Sequence, residues 1–141
     1  MTAGNPSETE RLVAIFQDRT LPKAAWTHEV HLRVGLWHLL HYPPQIALDR
    51  LREEITRLNE AHGTANTDRG GYHETITRFY VAIIARFIAE CDRSLPLDDL
   101  AEALIAQCGH RDLPLRYYTR ARLDSIPARR GWVEPDLMPL E

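Results

Sequence analysis

The stretch that most limits what this chain can become is YHETITRFYVAIIARFIAEC, residues 72–91. Between Ile76 and Ile88 aliphatic and aromatic residues fall on almost every side of a helical wheel, with Arg78 and Arg86 as the charged interruptions. A helix of that kind has to be covered by other helices over most of its circumference. The segment therefore predicts the buried centre of a bundle. It is not expected to cross a membrane, because no uninterrupted apolar run of about 18 residues exists anywhere in the chain.

Amphipathic helices to surround that centre can be placed from their end signals. Ser7 and Glu10 form a capping box for a first helix at about 8–18, whose apolar face carries Leu12, Val13, Ile15 and Phe16. After a connector at 20–23, Thr27 is placed to cap a second helix from His28 to His41, which Tyr42-Pro43-Pro44 stops. A third helix starts at the prolines with Leu48, Leu51, Ile55, Leu58 and His62 on one face, and Gly63 ends it. The small and polar residues of GTANTDRGG, 63–71, predict a loop before the central helix. A fifth helix spans about 97–108, ended by Gly109, and Pro114 opens a sixth running to Leu123. The proline-punctuated tail, about 126–141, is expected to be extended, with Trp132 packed on the body.

No strand-like alternation and no hairpin signal occurs, so the expected class is all-α, a single compact bundle of five to six helices in one domain over 1–141. A chain of 141 residues can bury roughly two thirds of its unfolded surface in one core. With 26% charged residues and net charge −3, nothing in the composition asks for a polyanion, so nucleic acid is not expected as a partner. The opening MTAGNPSETE lacks the basic and apolar regions of a secretory signal, and a cytoplasmic location is expected. Cys91 and Cys108 have no close pairing of metal or redox type and are expected to be ordinary thiols.

The candidate site comes from histidine placement. WTHEVHLRVGLWHLLH, residues 26–41, holds four of the seven histidines. On a helix His28, His31, Gly35 and His38 fall in one stripe about 80° wide, and Gly35 within it asks for close approach of a helix or a ligand. His73 shares a face with Thr77, Tyr80 and Ile84, and His62 extends the inner face of the third helix. Imidazoles in a helix's first turn favour the neutral form, which is the metal-binding form. The expectation is a divalent metal site (zinc, iron or manganese) with His28, His31, His62 and His73 as ligands. Glu74 and Tyr80 are the candidate catalytic groups, Glu74 as ligand or general base in metal-assisted chemistry on a small molecule. Whether the chain is an enzyme stays open. The competing expectation is a non-enzymatic module in which the histidines only form hydrogen bonds. Arg69, Gly70 and Gly71 before the central helix could then help to hold a small anion or cofactor group. A partner protein or a homo-oligomer is also possible on this sequence. HEVH is one residue short of the zinc-protease spacing, and no nucleophile elbow or phosphate-binding loop is present.

The segments WTHEVHL, GYHETI and the PDL near the C-terminus resemble those of a set of small, uncharacterised helical bacterial proteins that carry W-T-H-x-x-H-L and G-Y-H-E-T-I motifs. That resemblance would span most of the chain and implies a whole-chain helical domain. It carries no activity, cofactor or site residue.

Overall fold

A computed structural model describes residues 7–140; residues 1–6 and Glu141, which the expected domain includes, lie outside the described part. The described residues form five long helices, α1 (Glu8–Gln17), α2 (His28–His41), α3 (Pro44–Ala61), α4 (Glu74–Glu90) and α5 (Leu97–Cys108), and two one-turn helices, α6 (Arg120–Leu123) and α7 (Ile126–Arg130). There are no strands among them; a single isolated bridge joins Thr67 and Gly70. The fold is all-α. No helix among the described residues is long and apolar enough to cross a membrane.

The ends of the long helices lie where local chemistry puts them. Ser7 Oγ accepts from the Glu10 amide while the Glu10 carboxylate accepts from the Ser7 amide, closing the capping box. Thr27 Oγ1 accepts from Val30 and starts α2. Gly63 follows the last turn of α3 with φ +76, the left-handed geometry that glycine adopts without a Cβ penalty.

Two helices share the centre. α4 straddles two apolar clusters: Val81 and Ile84 face one built with α1, α2, α3 and α5, while Phe79 and Ile83 face another formed with Leu113, Tyr118 and Leu123. Phe79 and Ile84 lie about 140° apart around the axis, so the helix must be apolar on two sides to serve both. Only Arg78, Ala82, Arg86, Ala89 and the terminal Glu90 stay exposed. α2 is covered as widely, packing against α1, α3, α4 and α5. The two meet closely, since a Cβ added at Gly35 would stand 2.8 Å from Ile84 Cδ1. Gly35 is therefore there for a helix, not for a ligand.

The expected sixth helix is divided. A 3-10 turn at Leu113–Arg116 comes first, and α6 begins afresh after Thr119, whose Oγ1 accepts from the Arg122 amide. Asp136 takes the Thr119 N–H and Oγ1–H, so neither group can continue a helix from Tyr118. Ser125 likewise caps α7 with its side chain. From Gly131 the tail is extended, with Trp132 edge-on to Tyr118 at 6.3 Å between centroids.

The tail is fastened to the front of α4. Arg129 Nη1 donates to the carbonyls of Gly71 and Tyr72, Arg130 pairs with Asp68 through two contacts of 2.6 Å, and Thr75 Oγ1 donates to the Gly131 carbonyl. The 63–71 loop thus serves as the seat of the C-terminal segment. Its shape depends on Gly71, at φ +79, where a Cβ would lie 2.6 Å from the Ala65 carbonyl oxygen. Gly70 has open space at the same position. Gly71→Ala should cost on the order of 1–3 kcal/mol in urea unfolding, and Gly70→Ala well under about 1. Equal losses at both positions would contradict this role for Gly71.

Candidate functional site

Six of the seven histidines have a ring nitrogen hydrogen-bonded among the described residues. In α2 three of them repeat one device: Nδ1 of His31, His38 and His41 donates to the carbonyl four residues back, at 2.6 Å for Thr27, 2.8 Å for Val34 and 2.8 Å for Trp37. His31 is stacked on Trp26 at 3.5 Å and His41 on Trp37 at 4.1 Å. His31 is exposed, yet one ring face is shut off by Trp26, and this crowding lowers its pKa. Fully buried His38 also reaches Glu54 Oε1 at 2.8 Å, tying α2 to α3. Both of its nitrogens therefore face oxygen atoms of the chain.

The expected metal ligands are not assembled. His62 Nε2 donates to the Leu21 carbonyl at 2.7 Å and closes α3 onto the connector after α1. His73 is the cap of α4, outside its first turn: Nδ1 accepts from the Ile76 amide and Nε2 donates to the Leu123 carbonyl at 2.8 Å. One nitrogen caps α4 and the other ties it to α6. Burial lowers the pKa of His73, with Arg129 adding to the effect and the Leu123 bond opposing it. With His31 turned to Thr27 and Trp26, each of these rings answers to a different neighbour. No group of three or more His, Cys, Asp or Glu side chains among the described residues is placed to hold a metal ion.

Glu74 is buried and its carboxylate is occupied. Arg52 reaches across from α3 with Nε on Oε1 at 2.9 Å and Nη2 on Oε2 at 2.7 Å, and Tyr72 donates its hydroxyl to Oε1 at 2.8 Å. Burial alone would raise the carboxyl pKa, but these bonds outweigh it and hold it below the ordinary value. A base held this firmly is a strut between α3 and α4. The Arg69-Gly70-Gly71 segment also has local work. The Arg69 amide donates to Thr67 Oγ1, Gly70 accepts from the Thr67 amide, and Gly71 makes the turn under Arg129.

One pair remains. His28 forms no hydrogen bond among the described residues, and its Nε2 is buried. The Tyr80 hydroxyl is likewise buried and unpartnered. Their rings are in contact, 5.5 Å between centroids and 66° between planes. The loop after α5 adjoins them. Burial and then Arg111 lower the imidazole pKa, while burial, Cys108 and Asp112 raise the phenol's, so both groups are neutral near pH 7. Sequence periodicity placed His28 and Tyr80 on inner faces; what it could not show is that these two, of all the candidates, lack partners.

An open groove of about 370 Å³ lies elsewhere, between Trp132 and Leu140 in the tail. Its polar groups are engaged, with Glu134 Oε2 on the Trp132 indole N–H and Asp136 on Thr119. No protein-family model, curated protein or solved structure matches this chain.

The Arg52–Glu74 pair and the unpartnered Tyr80 hydroxyl set two expected outcomes. Arg52→Ala should cost about 2 kcal/mol, less than for a fully buried pair because the guanidinium is partly in water. Glu74's folded pKa is depressed, so its contribution is present above the ordinary carboxylate value and is lost as pH falls through the folded value. That acid-side loss should shrink in Arg52→Ala when stability is followed by denaturant midpoints against pH. Tyr80→Phe removes a buried hydroxyl that bonds to nothing in the protein, and should raise stability by about 1 kcal/mol. A clear destabilisation would mean that the hydroxyl has a partner within the fold.

Proposed function

We propose that this chain is a helical module that binds a small molecule at the His28–Tyr80 contact, without catalysing a reaction on it. The observation that carries this is the pair of buried, unpartnered polar atoms on touching rings. Buried polar groups are almost always hydrogen-bonded, and leaving one unsatisfied costs about 1–3 kcal/mol. Two such atoms on neighbouring rings are what a site shows when its missing partner comes from outside the chain.

Other features support binding over chemistry. A metal-assisted reaction needs convergent donors, and His31, His62 and His73 are each engaged in separate contacts. A general base needs a free lone pair, and the Glu74 carboxylate is committed to Arg52 and Tyr72. In the groove of the tail the carboxylates of Glu134 and Asp136 already have partners, the Trp132 indole N–H and Thr119.

The test is a thermal-shift screen of small uncharged and charged polar molecules against the wild type and Tyr80→Phe. A compound of this site should raise the melting temperature of the wild type, and Tyr80→Phe should lose most of that rise despite being the more stable protein unliganded. Zinc, iron(II) and manganese salts should leave the melting temperature unchanged. A rise with one of these metals, retained in Tyr80→Phe, would replace this proposal with a metal site.

A further inference from the structure

We infer that the ligand at the His28–Tyr80 contact is an uncharged small molecule recognised through a hydroxyl group, an inference that rests on the binding function proposed above. The hydrogen-bonding capacity of the two walls points this way. An imidazole Nε2 is a donor in one tautomer and an acceptor in the other, and a phenol hydroxyl can do either. A hydroxyl both donates and accepts through one oxygen, so it can pair with either atom whichever tautomer His28 adopts. A carboxylate or phosphate only accepts, and an ammonium only donates.

The surrounding charge gives the same answer. Arg111 and Glu29 act on His28, and Cys108 and Asp112 act on Tyr80. These neighbours include both signs, so neither an anion nor a cation meets a field of one sense. Either ion would also give up its hydration against two neutral rings, with no buried counter-ion of its own. Phe79 stands edge-on to Tyr80 at 5.1 Å, so one side of the phenol ring is hydrocarbon. A hydroxyl on a short apolar skeleton matches such a lining.

The experiment uses three probes matched in size: 2-propanol, acetate and isopropylammonium. Each is titrated into the whole protein carrying isotope-labelled histidine, and the His28 ring-nitrogen resonances are followed by NMR. The expected result is a saturable shift with 2-propanol, absent with the two ions, and weakened about fivefold in Tyr80→Phe through loss of one hydrogen bond. Acetate or isopropylammonium moving His28 at lower concentration than 2-propanol would overturn the hydroxyl assignment and leave the binding site standing. If none of the three moves His28, the site itself falls and the assignment with it.

Discussion

The contact on which the rest of this bundle depends is the close approach of α2 to α4 at Gly35 and Ile84. Both helices are apolar over most of their circumference, and neither could be covered by the amphipathic helices alone. Removing a side chain at Gly35 lets the two come together, at a helix-propensity cost of roughly 0.5–1 kcal/mol that the added burial offsets. Their relative position then governs the placement of the neighbouring helices and of the His28–Tyr80 pair. α3 and α5 each reach both helices, and about two turns before Gly35 the ring of His28 meets that of Tyr80, one turn before Ile84.

A hub helix with four histidines would ordinarily be a liability, because imidazoles taken from water need partners. α2 meets that need mostly from its own backbone. The carbonyls of Thr27, Val34 and Trp37 each accept both the regular helical amide and a histidine Nδ1–H, which a carbonyl's two lone pairs allow. The solution needs no other element of the fold. His28, at the very start of the helix, is the one imidazole of α2 that does not use this device.

The long helices were legible in the sequence because their ends are decided within a few residues by Ser7, Glu10, Thr27, Gly63 and the prolines. The division of the sixth helix was not, because it turns on Asp136, 17 residues beyond Thr119. The site divides along the same line. Periodicity could say that His62, His73 and Glu74 lie near the interior. It could not say that Leu21, Leu123 and Arg52, which are 41, 50 and 22 residues away, would claim them. Angular position on a helix fixes a direction for a side chain and leaves its partner undetermined. Convergence of ligands is a question about partners, and for His31, His38, His62 and His73 the chain supplies a bonding partner in each case.

The tail shows how the arginines and glycines before the central helix come to look like an anion site. Free amides at a helix start, a diglycine turn and nearby guanidinium groups are the ingredients of both an anion cradle and a clasp. What separates them is which way the guanidinium points its donors. Arg129 directs its Nη1 to the Gly71 and Tyr72 carbonyls, and Arg130 directs its donors to Asp68, so the positive charge is spent on oxygens of the chain itself. The same logic applied at His28 and Tyr80 gives the opposite result. There no group among the described residues bonds to either ring atom, and the two are left buried with bonding capacity to spare. Among the described residues the other buried side-chain polar atoms are met by groups of the chain, so unmet capacity at this one place is a specific feature, and the proposed binding function rests on it.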